Sequence, residues 1–324
     1  MKARILGTGS YVPERVLTNA DLERMVATSD AWIMERTGIR ERRLAAPDEA
    51  CSDLAVKAAE RALEAAGVAA ADLDLILLAT CTGDYPVPST ACLIQHRLGA
   101  VRAAACDIGA ACCGFLYALG VGDAYVRTGT RHVLVIGAEV MSAVTDWTDR
   151  NTCVLFGDGA GAAVLGPSEG DRGILSSHLH SDGGLWDLIA VHGGGSRMPP
   201  SEKMVVERQQ YIKMKGNETF KVAVKTLEDS VREALAANHL TTADLDLLVP
   251  HQANMRIIKA VASRLGLPLE KVMLNLERYG NTSAASIPLA LDEAVKEGRI
   301  TEGSLVLMEA FGAGLTWAST VVRW

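Results

Sequence analysis

Apolar positions follow two rhythms along this chain. From Asp53 to Ala66 they recur at steps of three and four and stop at Gly67, which predicts an amphipathic helix closed by a glycine. Phe115, Leu116, Ala118, Leu119, Val121, Ala124 and Tyr125 keep the same spacing, as do Phe220, Ala223, Val224, Leu227, Val231, Ala234 and Leu235. The second rhythm is an unbroken apolar run. Leu73 to Thr80 and Val133 to Ala138 are such runs, the pattern of strands in a sheet covered on both faces. Neither approaches the ~20 residues that cross a bilayer, and Met1 to Gly9 holds no long apolar stretch like that of a secretory signal.

The pattern is duplicated. Ala71-Asp72-Leu73-Asp74-Leu75 returns as Ala243-Asp244-Leu245-Asp246-Leu247, each copy preceded by a helical stretch. Arg97-Leu98-Gly99 returns as Arg264-Leu265-Gly266, and His132 to Ile136 matches Ser304 to Met308. The offset stays at about 170 residues, too long for a solenoid repeat. It predicts two similar α/β halves, residues 1–170 and 171–324, packed as one body. The glycine- and proline-rich stretch from Gly183 to Pro200 is expected to be a long surface loop.

With 324 residues, 49% apolar and 22% charged, the chain can bury a large core, which excludes intrinsic disorder and small disulfide scaffolds. The net charge of −7 argues against nucleic acid or anionic membranes as partners. Seven cysteines, an odd number with no Cys-x-x-Cys pair, read as reduced thiols in a cytoplasm, with neither a zinc site nor a disulfide framework.

One of these thiols stands apart. Ala103 to Ile108 reads as a short strand, small residues follow, and the helix from Phe115 begins just after Cys112-Cys113. Cys112 is therefore expected on a tight strand-to-helix turn, where the helix dipole and free N–H groups lower a thiol pKa below ~8.5. The competing role is a small buried hydrophobe, which is what the neighbouring Cys113 is expected to be. A thiol nucleophile needs polar partners. Of the two histidines beyond position 200, His239 sits in a polar loop, whereas His251 follows the strand Leu245–Val249 in Pro250-His251-Gln252-Ala253-Asn254. Strand carboxyl ends are where α/β proteins place ligands. In Tyr279-Gly280-Asn281-Thr282-Ser283, a glycine turn puts Asn281 at a helix start, where a simple N-cap is the alternative. Phe156-Gly157-Asp158-Gly159-Ala160-Gly161 lacks the lysine of a phosphate loop and reads as a tight turn between two strands.

Together these segments resemble β-ketoacyl-acyl-carrier-protein synthase III, the initiating condensing enzyme of bacterial fatty acid synthesis. Gly7-Thr8-Gly9-Ser10-Tyr11-Val12-Pro13, Trp32 with Glu35-Arg36-Thr37-Gly38-Ile39, and Glu309-Ala310-Phe311-Gly312-Ala313-Gly314 carry the likeness along essentially the whole chain. It implies a duplicated thiolase-like fold of two βαβαβαββ halves in a layered αβαβα body, a homodimer, and a Cys112, His251 and Asn281 triad. No cysteine follows Cys153, which sets the chain apart from thiolases, and Asn281 stands where elongating synthases use a second histidine.

The resemblance further implies an acyl-Cys112 intermediate from an acyl-CoA primer, then decarboxylative condensation with malonyl-acyl-carrier protein, with no metal or redox cofactor. His251 and Asn281 would donate to the thioester carbonyl, and the backbone N–H groups of Cys112 and Ala313 would form the other oxyanion hole. It assigns Trp32, Arg36, Arg150, Asn217, Phe220 and Asn254 to coenzyme A. Gln252, Ala253, Asn254, Met255, Arg256 and Lys221 would contact the acidic acyl-carrier protein, in a basic patch with Lys213, Lys215, Lys225 and Lys259. Val87 and Phe311 would line the acyl pocket, the small Val87 admitting primers longer than acetyl. Two other readings are a Cys-His-Asn condensing enzyme that primes a specialised polyketide or diacid pathway, and a non-catalytic acyl-carrier-binding subunit.

Overall fold

The computed structural model describes residues 2–324. Two sheets form its frame. The first contains β1 (Lys2–Tyr11), β2 (Leu75–Ala79), β3 (Ala104–Ile108), β4 (Val133–Glu139) and β5 (Gly159–Ser168), in the order β1-β5-β4-β2-β3. Strand β2 runs parallel to β3 and β4, and β5 runs antiparallel to β1 and β4. The second contains β6 (Gly173–Ser181), β7 (Leu247–Pro250), β8 (Leu305–Gly312) and β9 (Thr316–Arg323), in the order β7-β8-β9-β6. Only β7 and β8 are parallel there. Val272 bridges to Leu248 of β7, on the side where β3 flanks β2 in the first sheet. The chain thus repeats one strand order, passing from the first sheet to the second between Ser168 and Gly173.

The repeated Asp-Leu-Asp-Leu segment has a physical reason. In each copy a 3-10 turn leads into the strand, and the second aspartate fastens the neighbouring strand. Asp74 Oδ2 accepts the N–H groups of Arg131 and His132, at 3.0 and 3.1 Å. Asp246 Oδ2 accepts that of Leu305 at 2.7 Å. In both halves the aspartate N–H bonds back to that same segment, at His132 and Leu305.

Helices α1 (Asp30–Thr37), α2 (Cys51–Ala66), α3 (Thr90–Leu98), α4 (Gly114–Arg127), α5 (Gly216–Ala237), α6 (Met255–Leu265) and α7 (Ser286–Lys296) complete the body. The predicted helix before Gly67 is α2, with Gly67 left-handed at its end. It lies on the outer face of the first sheet, so close that a Cβ on Gly9 would stand 2.3 Å from the Ala62 nitrogen. Helices α5 and α6 cover the outer face of the second sheet. Helices α4 and α7 are sandwiched between the sheets, with Phe115, Leu116, Ile287 and Leu291 packed against Leu77, Val135, Val249 and Met308. This makes five layers, and the central helices are apolar nearly all round because both faces are covered. No helix among the described residues is long and apolar enough to cross a membrane. The Gly183–Pro200 stretch is not all loop: Gly183–Leu188 is a 3-10 helix, and Ile189–Ala190 pairs with Lys213–Met214.

Candidate active site

The ends of β4, β7 and β8 and the starts of α4 and α7 meet in the middle of the body. Cys112 lies in one 3-10 turn, Ala111–Cys113, immediately before α4. Ala111 opens that turn at φ 44, a left-handed conformation that side chains with a Cβ rarely adopt. Gly312, at the end of β8, is pressed against it. A Cβ there would stand 2.8 Å from the Cys112 nitrogen and 3.0 Å from its Cβ, so only glycine permits the approach. The Thr316 hydroxyl lies 3.1 Å from both the Ala110 and Ala313 carbonyl oxygens, tying the Cys112 turn to the Ala313 segment. Cys113 is fully buried, its sulfur on the Thr316 carbonyl, and it packs as expected.

His251 leaves the end of β7, and its N–H donates to the Glu309 carbonyl of β8 at 2.8 Å. Its side chain is buried, and Nδ1 has no protein partner. Burial lowers its pKa to about 4, so the imidazole is neutral at pH 7.

Asn281 is buried and held by a backbone rail. Its N–H donates to the Leu155 carbonyl at 2.8 Å, and its own carbonyl accepts from Gly157 at 3.0 Å. The Phe156 segment therefore does more than turn between strands: it runs parallel to Asn281 before entering β5. The Asn281 Oδ1 accepts the Ser283 N–H at 2.9 Å, which leaves the amide NH2 as the group to donate. The Ser283–Ala285 turn in turn packs against the Cys112 turn.

The electrostatics correct one expectation. Cys112 was expected to have a lowered pKa, but burial pushes its thiol up to about 11, with the negative Glu139 adding to the shift and Ser283 opposing it. Desolvation outweighs a helix dipole reached only through an intervening 3-10 turn. The resting group is a thiol. Glu139 and Glu309, both fully buried, were missed by sequence reading. Burial raises both, Glu309 to about 8. A carboxylate closing an apolar strand run is the signal that would have found Glu139.

Other expected residues gather beside this centre. The Arg150 guanidinium carbon lies 4.8 Å from the Trp32 ring centre and that of Arg36 lies 5.6 Å away, so both cations share one indole. Asn254 Nδ2 donates to the Arg36 carbonyl at 3.0 Å, while its Oδ1 caps α6. Arg256 stacks 5.4 Å from the Phe220 ring, and Asn217 is exposed at the start of α5.

Two assignments change. Gln252 is fully buried, and its side chain bonds to Pro250, Met273, Asn275 and Leu276, which leaves nothing for a partner protein. Val87 is 84% exposed on the loop before α3, and Phe311 is buried under the outer helices of the second sheet. The basic patch is smaller than expected, because Lys213, Lys215 and Lys225 pair with Asp146, Asp187 and Asp229. Lys221, Arg256 and Lys259 form no ion pair among the described residues. No cluster of three or more His, Cys, Asp or Glu among those residues could hold a metal.

A five-layered duplicated body with this central meeting of loops is the fold of the thiolase-like condensing enzymes. A profile described as 3-oxoacyl-[acyl-carrier-protein] synthase III matches residues 106–183, and its C-terminal counterpart matches 235–324. A β-ketoacyl-[acyl-carrier-protein] synthase III of Alkalilimnicola ehrlichii is 56% identical, covering 99% of both chains. One from Caldanaerobacter subterraneus is 55% identical over 99% of this chain and 98% of its own. The crystal structure of the Aquifex aeolicus synthase III superposes with a TM-score of 0.93 at 48% identity, covering 99% of this chain and all of that one. This chain belongs to the β-ketoacyl-acyl-carrier-protein synthase III family.

Proposed function

We propose that the protein joins a short acyl-CoA primer to malonyl-acyl-carrier protein, giving 3-oxoacyl-acyl-carrier protein and carbon dioxide, the initiating condensation of fatty acid synthesis. Cys112 attacks the primer thioester, and coenzyme A leaves as a thiol carrying the proton Cys112 gives up. The backbone N–H groups of Cys112 and Ala313 stabilise the oxyanion, the role for which Thr316 and Gly312 hold those two segments together. Malonyl-acyl-carrier protein then binds. The Asn281 amide and the neutral His251 donate to its thioester carbonyl as carbon dioxide departs, and the resulting carbanion attacks acyl-Cys112. A neutral imidazole stabilises an enolate without quenching it. No step calls for a metal or redox group.

The single observation that carries this reading is that the Ala111–Cys113 turn packs directly against the Ser283–Ala285 turn, whose first N–H fixes the Asn281 side-chain oxygen. It joins the proposed nucleophile of residues 1–170 to a donor of residues 171–324, which we read as the two thiolase-like halves. Trp32 with Arg36 and Arg150 suits the adenine and phosphates of coenzyme A, with Asn217, Phe220 and Asn254 beside the entrance. Lys221, Arg256 and Lys259 suit an acidic carrier protein. Strand β3 is an open sheet edge, near exposed Tyr85, Val87 and Val101, and a second copy pairing there would form the homodimer and cover them. A cytoplasmic site of action follows from the substrates.

The test is intact mass after acetyl-CoA, then product formation with malonyl-acyl-carrier protein. The expected result is an acetylated Cys112 that is discharged into product, and no adduct on wild-type protein would overturn the reading. A priming β-ketosynthase of the R1128 polyketide pathway superposes with a TM-score of 0.92 at 40% identity, covering 99% of this chain and 96% of its own. Rates across acetyl-, branched- and dicarboxyl-CoA primers separate a housekeeping from a specialised role.

A further inference from the structure

Glu139 ends β4 beneath the Cys112 turn and is fully buried. Five donors converge on it. Oε1 accepts from the Cys81 thiol at 3.2 Å and the Ser283 hydroxyl at 3.0 Å, Oε2 accepts from the Thr80 and Thr82 hydroxyls, and the Cys81 N–H reaches both oxygens. The two threonine oxygens already accept backbone N–H groups, from Thr82 and Val140, so their protons are directed at the carboxylate. A shell made only of donors fits an ionised, acceptor-only carboxylate. The shell has one outward link. Ser283, held by its hydroxyl, is left-handed at φ 48, and from that conformation its N–H fixes the Asn281 side-chain oxygen.

We propose that Glu139 is the positioning residue of the site, fixing Ser283 and, through the Ser283 N–H, the side-chain amide of Asn281. This rests on the condensing role proposed for Asn281. A positive φ at a serine persists only when its surroundings hold it, and here the hold is a charge-assisted bond to a buried anion. The groups facing Glu139 are Thr80, Cys81 and Thr82 after β2, Cys112 before α4 and Ser283 before α7. None of them is cationic, so the charge is met by neutral hydrogen-bond donors, of which Ser283 alone reaches on to Asn281.

Two measurements test the proposal. In the first, Glu139→Ala and Ser283→Ala are compared for acyl-enzyme formation and for condensation. Both are expected to keep the mass shift and the KM for acyl-CoA while the condensation kcat falls, by up to about 100-fold for a misplaced donor. Glu139→Gln, which keeps an acceptor for Ser283, recovers part of that loss, and the double variant Glu139→Ala/Ser283→Ala is no worse than the worse single one. Independent multiplication of the two losses overturns the proposal. The second measurement needs no turnover. The Asn281 side-chain amide resonance, assigned by its disappearance in Asn281→Ala, moves in both Ser283→Ala and Glu139→Ala. An unmoved resonance in folded Ser283→Ala and Glu139→Ala protein overturns it, even if the wild type proves to condense nothing.

Discussion

The two halves build the same elbow and give it different work. Ala111 and Ser283 are as far apart in sequence as Ala71 and Ala243, the copies of the repeated motif. Each opens a 3-10 turn, Ala111–Cys113 and Ser283–Ala285, at nearly the same left-handed φ of 44 and 48. Each turn feeds a central helix, α4 or α7. In the first half the next residue is Cys112, and in the second it is Ala284, whose place is filled by packing alone. The polar group of the second elbow is Asn281, two residues before the left-handed position instead of one after it. Duplication thus supplied two facing elbows, and in our proposal the chemistry divides between them: the nucleophile on one, a donor on the other.

The division is broken most completely at the first elbow. Cys112→Ala is expected to abolish acyl-enzyme formation, read as the loss of the mass shift with acetyl-CoA, since Ala284 offers no second nucleophile. An undiminished adduct would place the nucleophile elsewhere, with Cys81 the first to test. Next comes the second elbow. Asn281→Ala, and likewise His251→Ala, is expected to form the adduct normally while condensation drops ~10²–10³-fold, the worth of one preorganised donor. Equal losses in both steps would show that the elbows do not divide the work.

Between the elbows lies Gly312. Gly312→Ala puts a methyl 2.8 Å from the Cys112 nitrogen, where backbone rather than a flexible side chain must yield. Acylation is expected to slow by about 100-fold, since a shift of the turn near 1 Å costs about that much. Asn281 lies on the other elbow, so in single-turnover experiments the condensation step of whatever acyl-enzyme forms falls less.

A pH dependence sharpens the comparison on the β7–β8 side. Folded Glu309 keeps its proton up to about 8, whereas an unfolded chain releases it near 4.5. Between those values the folded state binds more protons, so stability falls as pH rises. His251 acts oppositely between about 4 and 6.5, where the unfolded chain is protonated and the folded one is not, so stability rises with pH there. The two offset each other below 6.5, and from there up to about 8 the fall caused by Glu309 is no longer offset by His251. Stability is therefore expected to drop from pH 6.5 to 8 by about 2 kcal/mol, and Glu309→Gln should flatten the slope. A thermal midpoint that is level over that interval in the wild type would refute this.

What could be read from the residues alone was whatever repeats or punctuates. The Asp-Leu-Asp-Leu copies gave the duplication because a strand start needs the same local carboxylate twice, and Gly67 gave the end of α2 through one backbone angle. Cys112, His251 and Asn281 were legible because each follows a strand or glycine signal at a predictable element end. The environment of those groups was not, since it depends on residues distant in sequence. The Cys112 thiol was expected to be acidified by a helix, and desolvation by burial reverses the sign. Gln252 stands in a polar-looking stretch with Asn254 and Arg256, but its bonds run to Met273, Asn275 and Leu276, which no pattern around position 252 reveals. Glu139 follows the apolar run Val133 to Ala138, and only residues distant in sequence, Thr80 and Ser283 among them, make it a hub.

The smallest expected effect separates the elbows by strain alone. A left-handed residue with a Cβ costs about 1–2 kcal/mol, part of which glycine gives back through its larger loss of freedom on folding. Ala111 makes no side-chain hydrogen bond, so Ala111→Gly relieves the strain at little other cost. It should stabilise the protein by roughly 0.5–1 kcal/mol, a rise of about 1–4 °C in the thermal midpoint. Ser283→Gly relieves the same angle but removes the hydroxyl that Glu139 holds, leaving a buried carboxylate one donor short, which costs about 1–3 kcal/mol. The same substitution at matching positions is therefore expected to raise the midpoint at one elbow and lower it at the other. Two rises would mean that the Glu139 bond contributes no stability. Two falls would mean that Ala111 is not strained, and that the likeness of the elbows ends at their backbone trace.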